Sequence, residues 1–203
     1  MKTIIAMKTV CCMLMLITTQ WLWAQSSPIP MLQNSANQIV ATLQQHKGEL
    51  KANHKIIYQA VEHYLLPNVD IYGMSRSVVG RDAWAKASSA EKEEFTQVFT
   101  QLVIRTYANP MAEYSDETVK FLPVRGALDG RFTRVNSVII RSNGQNIPLS
   151  YSLIAKNGNW KIYDLSVEGV SLLQSFHSQF GAVLKNSSMR DLIDQMRKKN
   201  KAA

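Results

Sequence analysis

Three dipeptides, Asp129-Gly130, Asn143-Gly144 and Asn157-Gly158, punctuate the second half of the chain, and each accepts the positive φ angles that a tight β-hairpin requires. Between them apolar and polar residues alternate, most cleanly at Ile147, Leu149, Tyr151 and Leu153, which share one strand face. Four strands are predicted, near residues 118–124, 131–142, 146–155 and 160–167. Connections this short force neighbouring strands to pair antiparallel, in a meander. The second strand, with Val135, Val138, Ile139 and Ile140, does not declare its inward face.

Before Thr118 the apolar period is helical. Leu32, Ala36, Ile39, Val40 and Leu43 mark a first helix that follows Pro28 and Pro30 and ends near Gly48. A second runs from Asn53, a suitable N-cap, to Leu66, where Pro67 stops it. The apolar stretch Val69 to Met74 and on through Val78-Val79-Gly80 predicts a short buried helix and a turn. Ser88-Ser89-Ala90-Glu91 reads as a capping box, from which the longest helix grows, with Phe95, Phe99, Leu102, Val103 and Thr106 on its inner side. Pro110 kinks or ends that helix. After the last strand, Glu168-Gly169 leads straight into Val170, Leu173, Phe176 and Phe180 at helical spacing. This strand-to-helix hinge folds a helix over 169–185 back onto the sheet, and a final helix runs from Ser188 to about Lys199. The expected class is α+β: a curved four-stranded antiparallel meander covered by about six to seven helices around an apolar interior.

The first 24 residues have the layout of a secretory signal: Lys2 and Lys8, a short apolar run from Val10 to Ile17, and a cleavage point at Ala24. The run falls short of the roughly 20 residues a membrane span needs, so residues 25–203 are expected to form one soluble exported domain. Both cysteines, Cys11 and Cys12, lie inside the presumed signal, which leaves the mature chain no disulfide and no thiol ligand. Such a domain depends on burial alone, and the 179 residues left after taking 24 from 203 suffice. Without the signal lysines, 21 basic residues face 15 acidic ones, a net charge near +6. Part of the excess is the tail Arg197-Lys198-Lys199-Asn200-Lys201, where cations suit a helix C-terminus or an anionic lipid surface. Export argues against nucleic acid as a partner.

The patterns that carry catalysis are missing. His46, His54, His63 and His177 include no pair at i, i+4, so no metal site is expected. No serine occupies a G-x-S-x-G elbow, and Arg81 after Gly73 and Gly80 lacks the Gly-Lys-Ser/Thr ending of a phosphate loop. A helix-covered curved sheet resembles the cone-shaped scaffold of nuclear transport factor and ketosteroid isomerase, in which Asp164 or Glu168 would be the candidate base; a carboxylate at a strand end more often caps the next helix. The apolar residues Leu65, Leu66, Val69, Ile71, Met74, Val78, Phe99, Val103, Tyr107, Tyr151, Val170, Leu173 and Phe176 should converge on one sheet face. Periodicity does not distinguish a filled core from a lined cavity.

Three segments carry a resemblance. Leu66-Pro67-Asn68-Val69-Asp70 leads into Gly80-Arg81-Asp82-Ala83-Trp84-Ala85-Lys86-Ala87-Ser88; Phe95-Thr96-Gln97-Val98-Phe99 continues through Arg105-Thr106-Tyr107-Ala108; and Trp160-Lys161-Ile162-Tyr163-Asp164 runs to Glu168-Gly169-Val170-Ser171, followed by Ser178-Gln179-Phe180. In order and spacing they resemble the toluene-tolerance (MlaC) family of periplasmic phospholipid-binding proteins, over about Val40 to Leu192. Two positions depart from it: His177 stands where the family usually carries arginine, and Trp84 follows Gly-Arg-Asp-Ala rather than Gly-x-Tyr/Phe. The resemblance implies a monomeric, non-enzymatic carrier without cofactor. Its cargo would be a phospholipid, shuttled between an inner-membrane ATP-driven complex and an outer-membrane lipoprotein-porin complex to maintain outer-membrane lipid asymmetry. It also implies that Leu66, Val69, Ile71, Met74, Val78, Phe99, Val103, Tyr107, Tyr151, Leu153, Val170, Leu173 and Phe176 line the lipid cavity. The alternatives are a periplasmic protein-binding adaptor without lipid and a small-molecule enzyme on the cone-shaped scaffold.

Overall fold

The structure is a computed structural model that describes residues 26–114, 116–125, 128 and 130–202; the presumed signal at 1–24 and the Asp129 half of the first turn signal lie outside them. Helix α1 (Ile29–Gln45) buries Leu32, Ile39 and Leu43, and α2 (Lys55–Tyr64) packs against it. The N-cap of α2 is His54, not Asn53, and no side chain caps it. α2 stops at Tyr64, short of the expected Leu66, and Pro67 lies inside the one-turn 3₁₀ helix Leu66–Asn68 that follows rather than ending the helical run. Two helices follow where one was expected: α3 (Ile71–Val79) and α4 (Arg81–Lys86), split by Gly80 at φ +85°. The capping box starts α5 (Ser89–Ala112): the Ser88 hydroxyl accepts from Glu91 N–H at 3.2 Å, and the Glu91 carboxylate accepts from Ser88 N–H at 3.0 Å. Pro110 lies two residues before the end of this helix. The chain finishes with α6 (Leu172–Leu184) and α7 (Met189–Ala202).

Among the described residues the sheet has five strands, not four, in the order β1 (Thr118–Phe121), β2 (Phe132–Ile140), β3 (Asn146–Lys156), β4 (Asn159–Val167) and β5 (Val170–Ser171), all antiparallel. Asn157 and Gly158 both have positive φ, 51° and 77°, the type I′ geometry that their sequence announces. Glu168 and Gly169 do the same at 51° and 83°, so the expected hinge is a second I′ hairpin turn, pairing Val167 with Val170. That turn corrects two expectations. The helix that follows the sheet, α6, begins at Leu172 rather than Gly169, and Val170 belongs to the fifth strand, where it is 63% exposed.

The register answers which face of β2 is inward. Val135 pairs with Tyr151, which pairs with Leu165; Val135 and Tyr151 are buried with Leu153, Trp160, Ile162 and Leu32 of α1, and Leu165 packs half-buried against them. A bulge interrupts the β3–β4 ladder: Leu153 faces Ile162 but Ser152 faces Asp164, which leaves Tyr163 as the extra residue. A second apolar cluster joins α3 to α7, with Phe95, Phe99, Phe176 and Phe180 in mutual ring contact at centroid distances of 5.2 to 5.8 Å. Such aromatic pairs add about 0.5–1.5 kcal/mol each beyond burial. A third cluster sits between α1, α2 and the later half of α5. Among the described residues no helix is long and apolar enough to cross a membrane.

Candidate functional site

The segment from the 3₁₀ turn through α3 is stitched to the sheet. Val69 makes a parallel bridge to Ile162, and Asp70 N–H donates to the Ile162 carbonyl at 2.8 Å. The Asp70 carboxylate caps α3 by accepting from Gly73 N–H at 3.2 Å, and both its oxygens lie 2.8 Å from Lys156 Nζ at the end of β3. A Cβ on Gly73 would collide with that carboxylate, so any larger residue here must push the Asp70 side chain out of its capping position.

This attachment divides α3 into two sides. One carries Met74, Val78 and Val79 into the helical cluster, where Phe99 and Phe176 are also buried and Ile71, Val103, Tyr107 and Leu173 are half-buried against it. Tyr151 and Leu153 are buried in the sheet cluster, and Val69 and Leu165 pack against both clusters. Leu66 is half-buried in the 3₁₀ turn, and Val170 is exposed. Eleven of the thirteen residues expected to line a cavity therefore stand on the two apolar layers that meet at Val69 and Leu165. Burial pushes the Tyr151 phenol above its usual range, while the Ser137 hydroxyl, 3.5 Å away, donates to it and works the other way.

The other side of α3 borders an open cleft of about 800 Å³, which none of those thirteen residues lines. Tyr72, Arg76, Ser77, Gly80 and Arg81 come from α3 and α4, His177 from α6, and Arg131, Phe132, Ile154, Lys156 and Tyr163 from the sheet and its β1–β2 connection. Phe132 and Ile154 are register partners, and the β4 bulge adds Tyr163, whose ring meets Phe132 edge-on at 5.7 Å. Tyr72 packs edge-on against Trp84 at 5.3 Å and remains 53% exposed; Phe132 is 58% exposed. The His177 Nδ1 lies 3.0 Å from the Ser77 carbonyl, which only accepts, so that nitrogen carries the hydrogen. An apolar floor bordered by cations is the result.

Sequence reasoning missed this constellation, since Arg76, Arg81, Arg131 and Lys156 form no motif along the chain. Of these cations only Arg81, after Gly80, stands out in the sequence, and there it lacks the ending of a phosphate loop. The candidate base Asp164 is otherwise engaged: buried, it accepts from the Ser171 hydroxyl at 2.7 Å and Leu173 N–H at 3.0 Å, fixing the start of α6. Glu168 is exposed on its turn. Among the described residues no three His, Cys, Asp or Glu side chains are placed to hold a metal ion.

A curved antiparallel meander roofed by helices, with apolar layers inside and an amphipathic cleft at the edge, places the chain in the expected α+β class. Residues 33–198 match the family model described as MlaC protein, and the chain belongs to that family. It is 27% identical over 184 residues to the intermembrane phospholipid transport system binding protein MlaC of Haemophilus influenzae, covering 89% of this chain and 85% of that one. To the toluene tolerance protein ttg2D of Pseudomonas putida it is 26% identical over 164 residues, or 81% and 76% of the two chains. The solved phospholipid-binding protein from Ralstonia solanacearum, in complex with a phospholipid, shares the fold with a TM-score of 0.78 at 24% identity, over 88% of this chain and 97% of that one.

Proposed function

We propose that the chain is a soluble, non-enzymatic periplasmic carrier of phospholipid. The observation that carries this reading is the apolar seam between the helical and sheet layers, the chemistry of a phospholipid's tails. Membership of the MlaC family and the roles by which its relatives are named support it. At about 800 Å³ the cleft lies within the roughly 300–1,000 Å³ range of pockets for much smaller ligands, so a diacyl lipid needs further room. The acyl chains enter between the layers, at Leu66, Val69, Ile71, Met74, Val78, Phe99, Val103, Tyr107, Tyr151, Leu153, Leu173 and Phe176, with Val170 at the exposed margin.

Burying two chains of about 30 methylenes in all is worth roughly 24 kcal/mol against water, at about 0.8 kcal/mol per methylene. A bilayer offers nearly as much. Exchange is therefore close to balanced, and direction comes from partners: an inner-membrane ATP-driven complex on one side and an outer-membrane lipoprotein-porin complex on the other. The engagement of Asp164 at the start of α6 argues against the enzyme alternative.

Organic-solvent extraction of the purified, detergent-free protein is the direct test. The expected result is about one phospholipid per chain; reproducibly empty protein that still binds a periplasmic partner would support a lipid-free adaptor instead.

A further inference from the structure

We infer that the cleft between α3 and the sheet is a docking groove for an acidic segment of a partner protein, one that carries an apolar side chain between carboxylates. This goes beyond the carrier reading by giving the protein a surface for a partner and the chemistry of its recognition. Four permanent cations, Arg76, Arg81, Arg131 and Lys156, line the cleft against one carboxylate, Asp70. Lys156 is already held by both Asp70 oxygens, each at 2.8 Å. Arg76, Arg81 and Arg131 are exposed and have no carboxylate partner among the described residues. Arg131 lies over the Phe132 ring, 5.8 Å from its centroid, a stacking that leaves the guanidinium edge free for a carboxylate. Arg76 and Arg81 come from the helical wall and Arg131 from the sheet side, so free cations border the groove on both sides.

Unpaired arginines alone are an ordinary solvated surface; the aromatic residues between them are not. Tyr72 and Phe132 stand on the same two walls, each more than half exposed. Exposed aromatic rings beside arginines have the composition of an interface hot spot rather than of free surface. The shape then selects the occupant. Ile154 and Tyr163 are half-buried and form the deeper lining, while Tyr72 and Phe132 stand at the margin. A bilayer presents a plane of headgroups, which meets the margin and misses the floor. A protein segment reaches both: an apolar side chain covers the floor, and flanking Asp or Glu side chains take the guanidiniums in bidentate pairs. A volume of about 800 Å³ has room for a few such residues. The cleft and the apolar layers lie on opposite sides of α3, so a docked segment leaves the space for the tails untouched and the carrier can dock while loaded.

Exposed ion pairs are worth a factor of a few each, so the three arginines together give about tenfold in affinity. Because exposed charges are screened over roughly 8 Å at physiological salt, that gain shrinks as salt rises. Loss of one aromatic anchor costs about tenfold or more.

The test selects a displayed library of short random peptides on the full-length mature protein, then titrates fluorescent copies of the enriched peptides against wild type and variants. We expect peptides with Asp or Glu on both sides of Leu, Phe or Trp, bound about tenfold more weakly by Arg76→Gln/Arg81→Gln/Arg131→Gln and about tenfold or more by Phe132→Ala. Binding to wild type should also weaken at high salt. All four side chains are exposed, so both variants should fold, and solvent extraction should recover as much phospholipid from them as from wild type. Peptides without acidic residues, or peptides that the triple variant binds equally well, overturn the groove; with lipid still present, the carrier reading stands. Protein empty of lipid whose peptides still depend on the three arginines keeps the groove and overturns the carrier reading. A library that yields no binder overturns the groove as well, and flotation of wild type but not the triple variant with vesicles of equal phosphatidylglycerol and phosphatidylcholine would then assign the cleft to a membrane surface.

Discussion

Asp164 is one of the two carboxylates, with Glu168, that the sequence offers as a candidate base, and its neighbours give it another task. The carboxylate is buried and holds the Ser171 hydroxyl and the Leu173 N–H, joining β4 to the start of α6. Asp164→Ala leaves those donors without a partner and should lower stability by about 1–3 kcal/mol, read from the urea midpoint. Gly73 is constrained just as locally. A Cβ there meets the Asp70 carboxylate, so Gly73→Ala should displace the α3 cap and cost about 1–2 kcal/mol, together with the Asp70–Lys156 pair. Glu168 runs the opposite way, since it holds φ at +51° without glycine's freedom. Asn tolerates that region better, and Glu168→Asn should stabilise by about 0.5–1 kcal/mol in thermal or urea unfolding.

At the scale of elements, the helix starts were legible where a side chain closes a local loop with its own backbone. Ser88 with Glu91, and Ser188 with Asp191, form such boxes at the starts of α5 and α7. The Ser88 N–H, then its hydroxyl, holds the Glu91 carboxyl below its usual range; for Asp191 the Ser188 hydroxyl contributes more than the N–H. A carboxyl depressed in the folded state stabilises above its unfolded pKa, and the contribution disappears as pH falls through the folded pKa. Stability should therefore decline below about pH 4.5, and Ser88→Ala/Ser188→Ala should give a shallower acid limb in urea titrations at pH 3 to 7. The fifth strand was not legible for the converse reason. Glu168-Gly169 adopts the same turn as Asn157-Gly158 without the Asn or Asp that signals it, and Val170 and Leu173 mimic a helical repeat across the boundary. The missing N-cap at Asn53 belongs here too: a good cap residue is a local preference, and the helix began one residue later.

For the molecule as a whole, the question is whether the apolar layers meeting at Val69 and Leu165 open around lipid or remain a solid core. Val103 and Leu173 are half-buried on the helical layer, which leaves them space that a fully buried residue lacks. Val103→Trp and Leu173→Trp should reduce bound lipid several-fold while costing less than the roughly 1–3 kcal/mol of an overpacked core, measured by solvent extraction beside urea unfolding. Full unfolding losses with lipid retained would mean that the layers are packed shut. What the sequence determined by itself is the inventory of local pieces: the meander, the long capped helix, the ends of most elements, and which residues are apolar enough to be buried. These follow from backbone sterics and side-chain caps acting within a few residues. Only the tertiary structure decided that Arg76, Arg81, Arg131 and Lys156 share one cleft with Phe132 and Tyr163. Their meeting depends on the β3–β4 bulge, on the Asp70–Lys156 pair and on α3 docking along β4, interactions between segments distant in the chain whose geometry no local pattern encodes.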